Sequence, residues 1–177
     1  MKKLILFIIS TTIFCINLSA QKATVDNSTI SVYFVNLTNK KTNLINNLIG
    51  ISFYANTKFG KALIHSELFY TISVDKNLNL PNFKSFFGVK EGFGGTFLRG
   101  KRYNLPFAFY AGLGGTKNDA SLKGGLLFGF ALEFRYFVTH TNAINLAIKT
   151  DYFTQSGSWA KGITLGYSLA SSKKVKE

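Results

Sequence analysis

Between Leu122 and Val138 every second side chain is bulky and apolar: Leu126, Phe128, Phe130, Leu132, Phe134 and Tyr136. The residues between them are Gly125, Leu127, Gly129, Ala131, Glu133 and Arg135. At a helical rotation of about 100° per residue the six large side chains would scatter around the axis, whereas in a strand they share one face. A strand that faced water would carry a polar row opposite its apolar one. Glycine and alanine there fit the crowded interior of a small closed barrel.

The first twenty residues read as an export signal: Lys2 and Lys3, an apolar run from Leu4 to Ile9 that continues weakly to Ile16, then Leu18, Ser19 and Ala20. A membrane anchor needs about 20 apolar residues, and Ser10, Thr11, Thr12 and Asn17 interrupt this run. The expected organisation is a signal peptide over 1–20, a barrel domain over 21–170 and a basic periplasmic tail over 171–177. Cleavage after Ala20 would remove Cys15, the only cysteine, so neither disulfides nor thiol ligands are expected in the mature chain.

Alternation recurs in eight segments, near Ser28–Leu37, Asn46–Thr57, Lys61–Val74, Phe83–Leu98, Leu105–Gly115, Leu122–Val138, Thr141–Thr154 and Trp159–Leu169. Segment one sets Ile30, Val32 and Phe34 against Thr29, Ser31 and Tyr33, and segment three sets Leu68, Tyr70 and Ile72 against His65, Glu67 and Thr71. One face suits lipid and the other a polar lumen. Segment four is the least regular, with Phe87, Val89, Phe93 and Phe97 sharing a face with Glu91, and its glycines point to a bulge. An even strand number places both termini on one side, expected to be the periplasm. The expected fold is all-β, a single eight-stranded antiparallel transmembrane barrel of outer-membrane type. A lipocalin-like carrier with the faces reversed is the alternative. It would leave Gly112, Gly114, Gly125, Gly129, Gly162 and Gly166 on strand exteriors and crowd most of 18 Phe into one interior.

The formal net charge is +13. Basicity of this size raises nucleic acid as a partner, but the cations cluster at segment ends, as at Lys58, Arg99, Lys101, Arg102, Lys117 and Lys123. No basic helix or aromatic RNA-binding strand accompanies them. Acidic lipopolysaccharide and phospholipid head groups are the expected partners, together with the barrel-assembly machinery, and no direct nucleic-acid binding is expected.

Candidate chemistry is sparse. His65 and Glu67 share a face, but Ser66 points to the other, so a nucleophile and its base do not converge. Two histidines without cysteines give no metal-site spacing. No catalytic residue, cofactor or metal is expected. Instead His65, Glu67, Glu133, Arg135, Lys149 and Asp151 all fall on lumenal faces. With Glu133 and Arg135 on the strand beside Lys149 and Asp151, they are expected to pair across strands as a structural plug. The GFGG at Gly92–Gly95 and GLGG at Gly112–Gly115 neither follow a parallel strand nor open a helix, and read as barrel wall. Trp159, Tyr152, Tyr167, Tyr103 and Tyr136 near strand ends suit interfacial aromatic girdles.

Laid end to end, the chain resembles the TraO proteins of Bacteroidetes conjugative transposons. The matching motifs include NTKFGK at Asn56–Lys61, SELFY, Leu80–Pro81, EGF with FL over Glu91–Leu98, FAFYAGLGG at Phe107–Gly115 and GGLLFGFALEFRYF at Gly124–Phe137, followed by TNAINLAIKTDYF and GITLGY. The resemblance implies a non-enzymatic part in DNA transfer between cells, with other envelope or conjugation proteins as partners. It brings no catalytic residues. Beside it stands a general porin-like barrel with a structural or narrow-pore role.

Overall fold

The structure, a computed structural model, describes residues 24–39, 45–59, 62–74, 84–118 and 121–170. The expected signal peptide over 1–20 and tail over 171–177 lie outside the described residues, as do Phe83 and the Leu80–Pro81 pair. Eight strands follow in order: β1 (Thr24–Asn39), β2 (Ile45–Phe59), β3 (Ala62–Ser73), β4 (Ser85–Arg99), β5 (Tyr103–Lys117), β6 (Leu122–Phe137), β7 (Asn142–Phe153) and β8 (Ser158–Ala170). Each pairs antiparallel with its sequence neighbours, and β1 pairs with β8 to close the barrel.

Closure fixes the tilt. A row of partners that leaves β1 at Ser28 passes Ala55, Ser66, Glu91, Ala111, Phe128, Tyr152 and Trp159. It returns to β1 at Thr38, ten residues further along. Eight strands with that stagger tilt by roughly 40° from the barrel axis. Each row therefore climbs as it goes round.

The alternation seen in the sequence is the wall's two faces. Ile30, Val32 and Phe34 on β1, Phe109 and Leu113 on β5, and Ile144, Leu146 and Ile148 on β7 all point outward and are exposed, and every other strand contributes similar residues. An apolar belt running round the whole circumference is far larger than the patches that water-exposed proteins tolerate. The fold is a transmembrane barrel of outer-membrane type. At the belt's two margins lie Tyr152 against Trp159, with ring centroids 5.0 Å apart, and Tyr103 against Phe134 at 6.5 Å.

The irregularity of segment four has a local cause. The β4–β5 register slips between Thr96 and Leu98, so Phe97 and Leu98 are both exposed, while at the strand's start Ser85 and Phe86 are both buried. The GFGG and GLGG runs lie within β4 and β5. Lumen-facing glycines make room for large interior side chains: a Cβ on Gly162 would stand 2.5 Å from Cε2 of Tyr33, and one on Gly88 would stand 2.9 Å from both Leu127 and Phe69.

The interior is not polar throughout, as the strand patterns had implied. Near the end away from the termini, Phe69, Phe86 and Phe153 pack with Val35, Leu37, Leu48 and Leu127 into a buried apolar cap. Their spacing puts them on the lumenal phase, but a large apolar residue flanked by others on the lipid face leaves no visible alternation. Phe86 stands 4.8 Å from Phe69 and 6.2 Å from Phe153, centroid to centroid.

Candidate functional site

Below the cap the barrel holds a compact core of charge. The strand pleat sends Glu67 (β3), Lys90 (β4), Lys149 and Asp151 (both β7) inward, and all four are buried. Lys149 Nζ donates to Glu67 Oε1 at 2.6 Å, and Lys90 Nζ lies 3.3 Å from Glu67 Oε2. On its other side Lys90 Nζ donates to both oxygens of Asp151, at 3.2 and 3.1 Å. The Tyr33 hydroxyl donates to Asp151 Oδ2 at 3.1 Å. Two carboxylates and two ammonium groups thus alternate across the lumen, joining β3, β4 and β7. Such burial is tolerable because each charge meets its opposite at hydrogen-bonding distance.

Aromatic rings complete the solvation of both lysines. Lys90 Nζ lies 4.6 Å from the Phe69 ring centroid and 4.4 Å from that of Tyr110, and Lys149 Nζ lies 4.7 Å from that of Tyr54. These distances are within cation–π range. His65 sits at the lower margin, its Nδ1 2.8 Å from Asn56 Oδ1 and its Nε2 3.3 Å from Glu67 Oε2, with its ring stacked 5.9 Å from Tyr110.

A second, separate ion cluster lies nearer the termini. Arg135 donates from Nε and Nη2 to the two oxygens of Glu133, at 3.2 and 3.3 Å, and from Nη1 to Asp26 at 3.2 Å. Beside it Asn145 donates to Thr29 at 3.1 Å and to the Tyr54 hydroxyl at 3.2 Å, and also bonds Ser168. The expected pairing of Glu133 and Arg135 with Lys149 and Asp151 is therefore not what the barrel builds. The register sets Glu133 opposite Ala147, Arg135 opposite Asn145, Lys149 opposite Ala131 and Asp151 opposite Gly129. The charges on β6 and β7 are thus offset along the axis, and each finds a partner elsewhere.

All six residues singled out in the sequence face the lumen, in two groups rather than one network. Lys90, Tyr33, Tyr110 and Asp26 were not among them. Lys90 was legible in principle, since Phe87, Val89 and Phe93 fix the outer phase of β4 and Lys90 lies on the other. Ser66 is exposed on the outer wall and cannot approach His65 from within. His140 lies exposed in the turn between β6 and β7. Between His65, Glu133 and Lys149 the lumen leaves a cavity of only about 10 Å³, hardly room for one water molecule. Among the described residues no cluster of three or more potential metal ligands occurs.

No protein-family model and no curated protein matches the sequence. Solved structures do match the fold. Neisserial surface protein A, NspA, superposes with a TM-score of 0.70 at 8% identity, over 85% of this chain and 100% of that one. Ail, the attachment invasion locus protein of Yersinia pestis, superposes with a TM-score of 0.53 at 11% identity, over 82% of this chain and 99% of that one. A second structure of Ail, in complex with the heparin analogue sucrose octasulfate, gives a TM-score of 0.54 at 10% identity over 81% of this chain and 97% of that one. At such identities the likeness concerns the fold, a small eight-stranded outer-membrane barrel.

Proposed function

We propose that this protein is a non-enzymatic barrel of the Gram-negative outer membrane, with both termini in the periplasm, whose sealed lumen gives it a structural or surface role rather than that of a pore. The observation that carries this reading is the continuous packing of the lumen. An ion core of Glu67, Lys90, Lys149 and Asp151 lies directly beneath a cap of Phe69, Phe86 and Phe153. A solute would have to break paired buried charges and separate packed rings to pass. His65 lies in the packed lumen and Ser66 on the outer wall of β3, so the histidine cannot serve as base for that serine. Reconstitution into planar lipid bilayers tests the reading: no stepwise conductance is expected, and a stable ohmic channel from the folded protein would refute it.

The expected contact with lipopolysaccharide rests on the rim at the end away from the termini. Lys84 and Lys117 are joined there by a backbone hydrogen bond of 2.7 Å, and Lys123 projects from the adjoining strand. Three exposed cations at that corner suit the phosphates of a glycolipid.

A second reading, a component of a conjugative DNA-transfer apparatus, rests only on the ordered motifs shared with TraO proteins. Conjugation frequency from a strain deleted for the gene decides it. A drop that the cloned gene restores supports the role, and unchanged transfer removes it.

A further inference from the structure

The apolar belt is broken on one side of the barrel by a polar patch. Lys161 lies on the outward phase of β8, between Trp159 and Ile163, and is exposed. The ladders set it opposite Thr150 on β7 and Asn36 on β1, and Asn36 in turn opposite Asn47 on β2. Thr150, Lys161, Asn36 and Asn47 thus follow one another across adjacent strands on the wall's outward phase, and the Asn36 amide donates to Asn47 Oδ1 at 2.5 Å. Because the rows climb, the residues about level with Lys161 on the far strands are Tyr70, Leu113 and Phe128, all exposed and none charged. The break belongs to β7, β8, β1 and β2.

Tyr152 and Trp159, whose rings mark the belt's margin at the end away from the termini, stand one outward position above Thr150 and Lys161. The Lys161 stem therefore starts just inside that margin and carries its ammonium up to head-group height. Such snorkelling accounts for a lone lysine, but not for two amides and a hydroxyl beside it on three other strands. Polar groups held against hydrocarbon are costly unless a polar partner meets them. Among the described residues no carboxylate engages the Lys161 ammonium. Glu91, the other charge on the belt's outward face, stands on β4, on the opposite side of the barrel.

We propose that this patch is a binding site for the phosphate of a glycolipid in the outer leaflet. The proposal rests on the outer-membrane reading with periplasmic termini, which puts the Trp159 end in that leaflet. A phosphate supplies an anion at head-group depth, with oxygens that accept from the ammonium and from the neighbouring amides and hydroxyl together. Phe34, Ile148 and Ile163, exposed just below, give the lipid's acyl chains an apolar wall. The site is distinct from the rim cations Lys84, Lys117 and Lys123, which lie at β4, β5 and β6 across the barrel.

Trp159 is the only tryptophan of the chain and lies two residues from Lys161 on the same face, so its emission reports the site directly. The full chain is folded into phosphatidylcholine vesicles containing rising fractions of bis-phosphorylated lipid A, and Trp159 emission is read alongside heat-modifiable gel mobility. A saturable change is expected, absent with dephosphorylated lipid A and with phosphatidylglycerol. Lys161→Met should raise the half-saturating fraction about fivefold and Asn36→Leu about threefold, whereas Lys117→Met across the barrel should leave it unchanged. Because Lys161→Met removes a charge from the lipid face, the barrel's own resistance to unfolding should hold or rise. Half-saturation indifferent to both Lys161→Met and Asn36→Leu overturns the site, as does a shift produced by Lys117→Met alone, which would leave only the rim contact. Equal saturation by phosphatidylglycerol or by dephosphorylated lipid A overturns the assignment to a glycolipid phosphate. A chain that does not enter the vesicles overturns the membrane reading with it.

Discussion

Lys149 Nζ and Glu67 Oε1 stand 2.6 Å apart across the lumen, and the same carboxylate also meets Lys90 at 3.3 Å. One carboxylate thus bridges two buried cations, with Asp151 supplying the second negative charge at Lys90. Glu67→Ala is expected to destabilise the barrel by about 3 to 5 kcal/mol, because it leaves charge buried without its partner. Replacing Glu67 and Lys149 together by Met should recover much of that loss. Urea unfolding in micelles, followed by gel mobility, measures both. A single variant as stable as the parent would show that the ion core contributes nothing.

The cap should yield to truncation in a different way. Phe86→Ala removes a buried ring packed on Phe69 and Phe153, with an expected cost of about 3 to 5 kcal/mol. No conductance should appear, because the ion core still fills the lumen below. Channel activity from this single variant would mean that the cap alone is the seal.

Two glycines distinguish the crowded wall from the open one. Gly162→Ala places a methyl group 2.5 Å from Tyr33 and should cost about 1 to 3 kcal/mol. Gly124→Ala meets nothing nearer than 3.8 Å and should be nearly neutral. Equal effects would contradict the packing described around Tyr33.

Arginine scanning of the outer face reports the solvent it meets. Ile148, 59% exposed within the belt, should tolerate Arg at a cost of about 2 to 4 kcal/mol, whereas Leu122, 67% exposed at a strand end, should accept it at little cost. In water both substitutions would be nearly neutral. A flat profile across the two sites would therefore argue against lipid contact.

How much of this was legible in the chain depends on the range of each interaction. Period-two alternation is local, so all eight strands and their outer faces could be read from residues such as Ile144, Leu146 and Ile148. The inward phase of the six charges followed from the same rule. Their partners did not. Lys90 and Asp151 are 61 residues apart and belong to strands that are not neighbours, so only the closed cross-section brings them together. The split into two ion clusters depends on stagger, which sequence does not display: two residues of offset between Glu133 and Lys149 suffice to send each to a different partner. Phe69, Phe86 and Phe153 escaped notice because an apolar residue among apolar neighbours breaks the visible pattern. Glu91 was the reverse case, a polar residue on the greasy phase, and the sequence placed it correctly without saying why it is there.

Seven of the eight ladders join strands adjacent in the chain, and only the seam between β1 and β8, from Asn27–Ala170 to Asn39–Ser158, needs distant segments to meet. Hairpins can zip up in sequence at small entropic cost, but the seam must wait for the whole ribbon to curl. Until it forms, both edge strands carry unsatisfied amides that hydrocarbon cannot accept. Membrane entry is thus governed by the last ladder to form: substitutions in β8 that leave the finished barrel stable can still slow its maturation, and a helper that shields this edge needs to recognise only one strand.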